Sequence, residues 1–294
     1  MPAVVSHYYL GERVAERFSA DCIVKHREAF NLGCQGPDPM FYLSFDKRYK
    51  TLGTLMHKGK IKQLFANMCD YCKETGDAVA KAYLMGFICH YALDKHSHPY
   101  VEYKLVTHPK YMPMAETPRH FRLESGMDYA VTVDKYNQDP AVFEKRLLVS
   151  ADKNTIKRIS MMFTSAMVPL FDNEMDVKTC VKAFNRMYKL FKFLHDPKIK
   201  KHGFFKVLEK AAGMPLFITT FGTPIADSPD EDWCNKNRTP WGDEGRTDTF
   251  YDMIDAAEVS AIDMLNAVKA AIASGEELPE KYFDTDYGGV RLNG

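Results

Sequence analysis

Residues 86 to 100 read GFICHYALDKHSHPY, an apolar run that ends in three histidines and an aspartate within nine positions. Successive residues of an α-helix turn by about 100°, so positions four apart share a face. If the run is a helix, His90 and Asp94 point the same way, as an imidazole and a carboxylate must to hold one divalent ion. Gly86 lies one turn earlier on that stripe and leaves space for an ion or for a neighbouring helix. His98 is a further four residues on, close enough in angle to face the same cleft. Pro99 biases it out of helical geometry, so a separate ion nearby suits it better. His96 is turned by about 200° from Asp94, which assigns it to the outer surroundings of the site or to solvent.

The same spacing recurs in RHFRLESGMD, residues 119 to 128. His120 and Glu124 are four apart, and Asp128 follows one turn later. An isolated pair of this kind is usually an exposed helix pairing. Two pairs close together, in a chain that also offers His7, Asp38 and His57, favour a metal site. Imidazole nitrogens with carboxylate oxygens are the donors of catalytic zinc rather than of thiolate structural zinc, so the chemistry points to hydrolysis. Asp128 reads either as an acceptor for a ligand histidine's other nitrogen or as a solvated helix residue. Arg119 faces about 100° away from His120, and a surface salt bridge is its simpler use.

Working outward, apolar residues recur at helical spacing over 7–18, 21–31, 51–73, 77–97, 117–133, 140–150, 153–171, 177–194, 203–213 and 247–273. Asp21, Asp152 and Thr247 stand where N-caps are expected. LFITTF (216–221) is the one short strand-like run. A helix-only chain must bury its apolar stripes on other helices, so we expect an all-α fold of about ten helices, in a single domain across 1–294. Residues 222–245 hold both tryptophans, three prolines and a cluster of acids, and read as an ordered loop forming a pocket wall. From Gly275 the chain reads as a tail packed by Tyr282, Phe283 and Tyr287.

Lys plus Arg equals Asp plus Glu at 39 each, so no global basic field drives nucleic-acid binding. The seven cysteines show no paired spacing beyond Cys69 and Cys72, and read as reduced thiols rather than a metal set. The N-terminus lacks the features of a signal peptide and no run has the length of a membrane span, so a cytoplasmic protein is expected. The basic, aromatic stretch 186–210 reads as two amphipathic helices with lysines outward and phenylalanines in the core, ahead of a lipid-headgroup or nucleic-acid surface. His195-Asp196 matches the dipeptide of another helical phosphohydrolase class, but Pro197 and the distance from the other histidines rank that reading low.

The order of SHYYLG, NLGCQGPDPMFY, LMHKG, GFICHYALDKHSHPY and HFRLESGMD resembles the zinc-dependent phospholipase C family, including its shorter members without a secretion signal. The likeness is good over about the first 130 residues. Further on, TPWGDEGRTDTFYDMIDAAEVSAIDMLNAV looks like the family's closing helix. The resemblance implies an all-helical fold with two or three Zn2+ ions in a cleft, hydrolysing phospholipids or smaller phosphodiesters. One ion would take Asp38, His57, His90 and Asp94; a second His98, His120 and Glu124; a third His7, sharing Asp94 as a bridge. In the secreted enzymes the third ion is also held by an N-terminal Trp, where this chain begins Met-Pro. Those enzymes space the histidine after the His/Asp pair slightly further away, which keeps His96 as the other candidate for the place of His98. Asp38, between two prolines, is the candidate general base; its local alternative is a cap on a helix starting at Pro39. Related helical zinc nucleases and a non-catalytic metal- or ligand-binding protein are the rival functions.

Overall fold

The computed structural model describes residues 4–44, 46–107, 116–211 and 232–292, without the side chains of 116–118 and 210. In chain order the elements are α1 (Val4–Arg17), α2 (Asp21–Lys25), α3 (Arg27–Gly33), a 3-10 helix (Asp38–Leu43), α4 (Leu52–Lys58), α5 (Ile61–Thr75), α6 (Ala78–Thr107) and α7 (Glu116–Tyr136). There follow α8 (Lys145–Leu148), α9 (Lys153–Met167), α10 (Val177–Leu194), α11 (Lys200–Ala211), α12 (Phe250–Ser274) and a short 3-10 turn (Glu280–Tyr282). The fold is all-α, and the described residues outside helices pair only in two isolated bridges. LFITTF lies outside the described residues.

Among the described residues the expected ten segments become twelve α-helices because two of them break. The 21–31 segment parts at His26, whose backbone leaves helical geometry. The 51–73 segment parts where Gly59 is extended and Lys60 is left-handed. The 140–150 segment keeps one helical turn, Lys145–Leu148. Asp152 caps α9 as expected, accepting from the Asn154 and Thr155 backbone. Asp21 is instead the first residue of α2, and the cap of α12 is Thr249 rather than Thr247, with Asp252 closing a capping box.

α6 is the axis of the molecule. Twenty of its thirty residues are buried, on every side, as expected of a helix enclosed by others. It packs most closely on α3 and α12. The contact with α3 rests on two glycines, Gly33 and Gly86. A methyl group on Gly86 would stand 2.0 Å from the Phe30 carbonyl oxygen, and one on Gly33 would stand 2.1 Å from that of Tyr83. The space beside Gly86 therefore belongs to a neighbouring helix. Pro99 does not end α6, which runs on to Thr107 and keeps His98 helical. Proline leaves the carbonyl four residues earlier, Lys95, without its helical donor, and Gly289 of the tail packs against that carbonyl and the proline ring.

All seven cysteines are buried free thiols. Burial pushes Cys69 and Cys72 up to about 12, so they are core residues and poor ligands. Trp233 and Trp241 are buried too, Trp233 against Gly126 of α7 and Trp241 against Tyr100 of α6. Through these two rings the 232–245 part of the loop packs on α7 and α6, and 222–231 lie outside the described residues. His195 and Asp196 are structural: the imidazole pairs with Glu144 at 3.2 Å, and the carboxylate accepts from the His202 backbone at 2.9 Å.

Replacing Gly86 with Ala forces two backbones apart and should destabilise the protein by about 1–3 kcal/mol or more, read as a lower urea midpoint. Gly203→Ala, in α11 with no atom within 4 Å of the added methyl group, should instead stabilise by about 0.5–1 kcal/mol.

Candidate metal centre

Asp94, on the buried face of α6, is surrounded by imidazoles. Its Oδ1 lies 3.2 Å from His7 Nε2 and 3.6 Å from His98 Nδ1; its Oδ2 lies 3.2 Å from His90 Nε2 and 3.9 Å from His57 Nε2. Asp38 Oδ1 is 3.2 Å from His57 Nε2 and 3.9 Å from His90 Nε2. One turn further along α6, His98 Nε2 and His120 Nε2 stand 3.4 Å and 2.9 Å from Glu124 Oε1. Three groups thus have donor atoms within 4.8 Å of one another: His7, His90 and Asp94; Asp38, His57 and His90; His98, His120 and Glu124. All eight expected residues are brought together, from α1, the 3-10 helix, α4, α6 and α7.

The donor set fits a divalent ion on physical grounds. His57 Nε2, His90 Nε2, His7 Nδ1, Asp94 Oδ2 and Glu124 Oε2 are buried without a hydrogen-bond partner, a costly arrangement for polar atoms in the interior. Nitrogen and carboxylate oxygen are also the ligands that zinc takes in catalytic sites.

Backbone carbonyls aim the rings. His57 Nδ1 is 2.7 Å from the Gly53 carbonyl, His90 Nδ1 is 3.2 Å from that of Cys34, and His98 Nδ1 is 3.0 Å from that of Tyr287. An N–H donated at Nδ1 leaves the Nε2 lone pair facing inward. Gly36 has a left-handed backbone and closes against the His90 ring, where a methyl group would stand 2.2 Å from Cδ2. Asp38 does not cap the helix it begins: Pro37 holds the cap position and no side-chain cap bond forms. Its carboxylate turns into the cluster instead.

Two residues act differently from expectation. Asp128 is fully buried, so it does not meet solvent, and its hydrogen bonds go to α1 rather than to the nitrogen of a ligand histidine. It accepts from Ser6 N at 2.9 Å, Val5 N at 3.2 Å and Ser6 Oγ at 2.8 Å. It therefore ties the first turn of α1 to α7, satisfying N–H groups that lack an intrahelical acceptor, and so places His7. Arg119 donates to the Leu105 carbonyl at 3.0 Å rather than to a surface carboxylate. His96 turns away as expected; it is half-buried, and burial together with Lys95 and Arg246 pushes it down to about 4.

Tyr287 belongs to the site although only its packing was legible in sequence. Its N–H donates to the His57 carbonyl at 3.1 Å, its carbonyl orients His98, and its ring lies 4.8 Å from that of His57 and 5.7 Å from that of His90. The tail is held in place by Lys58 on Asp286 at 3.1 Å and by the Tyr91 hydroxyl, which donates to the Thr285 carbonyl at 2.8 Å. The aromatic spacing of the tail was the one available signal.

The centre is electrostatically self-balancing. Burial raises a carboxyl, yet His98, His90 and His7 hold Asp94 well below the ordinary range. Burial would lower His98, yet Asp94 and Glu124 raise it to about 10. Burial and the neighbouring His7 lower His90. A cavity of about 590 Å³ opens onto His57, His98 and His120, with Phe41 and Phe121 as apolar walls and Lys50, Lys58 and Glu102 among its charged residues.

The sequence model of a family described as zinc dependent phospholipase C matches residues 6–188, more than half of the chain. No curated protein and no solved structure matches.

Deleting residues 285–294 removes the carbonyl that orients His98 and should weaken zinc binding about 10–100-fold, measured by chelator competition. In the metal-free protein His98, raised to about 10, keeps its proton at neutral pH. Zinc must displace that proton, so affinity should rise with pH up to about that value. Calorimetry in buffers of different ionisation enthalpy should read proton release at pH 7.

Proposed function

We propose that this chain, which belongs to the zinc-dependent phospholipase C family, hydrolyses phosphoric diesters, with phospholipids as the substrate class, through a di- or trinuclear zinc site in one domain spanning 1–294. The convergence of eight nitrogen- and oxygen-donor side chains beside one cavity supports this reading most. One ion would take Asp38, His57, His90 and Asp94, and a second His98, His120 and Glu124. A third would take His7 and share Asp94. Bound zinc supplies positive charge to the phosphate oxygens and the leaving oxygen, and acidifies water.

The chain's own residues do the rest. Asp38, buried beside His57 and His90, is the candidate general base that accepts the proton of the attacking water. His98, His120 and Glu124 supply three protein donors, the number common in catalytic sites. Phe41 and Phe121 exclude water from the reacting phosphate, and Lys50 draws an anionic substrate into the cavity. Zero net charge supports lipid over nucleic acid. Seven buried free thiols suit a reducing compartment, and a cytoplasmic location is part of the proposal. Among the described residues no helix is long and apolar enough to cross a membrane.

Zinc analysis alongside hydrolysis of bis-p-nitrophenyl phosphate and short-chain phosphatidylcholine tests the reading. His90→Ala and Glu124→Ala should each lose zinc and at least about 100-fold of kcat/KM. Two equivalents of zinc with no turnover would make the protein a non-catalytic metal binder. Turnover that survives both substitutions would rule out these residues as the site.

A further inference from the structure

Helix α10 behaves as an amphipathic helix should, burying Cys180, Ala183, Phe184, Met187, Phe191 and Leu194. Helix α11 does not. Phe204, Val207 and Leu208 stand three and four residues apart and share one face, and they are 62, 68 and 46% exposed. Glu209, on another side of the helix, is only 5% exposed. The helix lies with its apolar stripe outward and a carboxylate inward.

The stripe is continued before α11 by Phe193 and Ile199, 52 and 50% exposed. Phe205 links the two parts, its ring 5.9 Å from Phe193 and 5.6 Å from Phe204. Lys201 braces the junction by donating to the Phe193 and His195 carbonyls at 2.7 and 3.1 Å. Phe193 and Phe204 are the two exposed phenylalanines among the large exposed apolar residues described, so the patch differs from scattered surface side chains.

Charge says what fits on it. Residues 186–210 carry one Arg and seven Lys against Asp196 and Glu209, a net +6 in a chain of net charge zero. Lys192, Lys198 and Lys200 are exposed around the patch. Protein interfaces are depleted in Lys and favour Arg, Trp and Tyr at their centres, whereas lysines flanking Phe, Val and Leu on a surface helix are the pattern of helices that lie in a lipid headgroup layer. We propose that the end of α10 and the outward face of α11 form a docking surface for an anionic lipid bilayer, with the apolar stripe entering the headgroup boundary and the lysines meeting lipid phosphates. This surface is separate from the hydrolytic reading and can hold or fail without it.

The test is co-sedimentation of the full zinc-loaded chain with vesicles of phosphatidylcholine containing phosphatidylserine, and with phosphatidylcholine alone. The chain should bind the anionic vesicles, less so as salt rises, and bind the neutral ones at least about tenfold more weakly. The Phe204→Ser/Val207→Ser double variant, altered only at exposed positions, should keep its circular dichroism and lose about tenfold or more of the binding. Lys198→Glu/Lys200→Glu should do the same. Hydrolysis of monomeric short-chain phosphatidylcholine should be unchanged in both. Absent binding, or equal binding by the variants, overturns the proposal. So does a stable dimer of the wild-type chain that the double variant dissociates, because the patch then faces a second copy. Vesicle binding without any hydrolysis overturns the enzymatic reading and leaves this surface standing; hydrolysis without vesicle binding does the reverse.

Discussion

A carboxylate buried among imidazoles governs this protein. Removing Asp94 from water is costly unless positive charge or hydrogen bonds surround it, and His7, His57, His90 and His98 approach it from α1, α4 and α6. Each supporting element is placed by that requirement. α1 must be pinned so that His7 reaches in, and Asp128 pins it. α4 must stop at Lys58, which leaves His57 in its last turn. α3 must come close enough for the Cys34 carbonyl to meet His90, and the glycine pair at the crossing with α6 allows it.

The same arrangement explains why the centre suits ions better than protons. Imidazoles and carboxylates can balance one another in the dry interior, but several of their atoms still lack hydrogen-bond partners. Divalent charge answers that deficit without new side chains, and carbonyls on the outer nitrogens of three rings hold the inner nitrogens ready for it. The Glu124 cluster sits one turn along α6 from Asp94 because His98 is four residues beyond it. α6 thereby carries donor residues of both clusters, and His98 remains helical although Pro99 follows it.

The candidate site also extends past the matched stretch of residues 6–188. Tyr287 comes from the tail, yet its backbone touches both halves of the centre. Helix α11 likewise lies outside that stretch and shows its apolar side to the surroundings.

Much of this was legible in the amino-acid sequence, for reasons that are local. His90 with Asp94, and His120 with Glu124, are one helical turn apart, so their shared face follows from backbone geometry alone, and His96 turns away by the same rule. The all-α class and ten apolar segments follow from periodicity, and the breaks at His26 and at Gly59 and Lys60 were missed because apolar spacing runs across them. Only the tertiary structure decided what depends on distant partners. Gly86 serves a helix crossing because Gly33 meets it there. Asp128 serves the start of α1 because Val5 and Ser6 lie against it. Pro99 is tolerated where Gly289 packs on the freed carbonyl. Which side of α11 faces outward is likewise a property of what packs behind it: an amphipathic pattern defines two faces, and only the packed structure chooses which one is left outside.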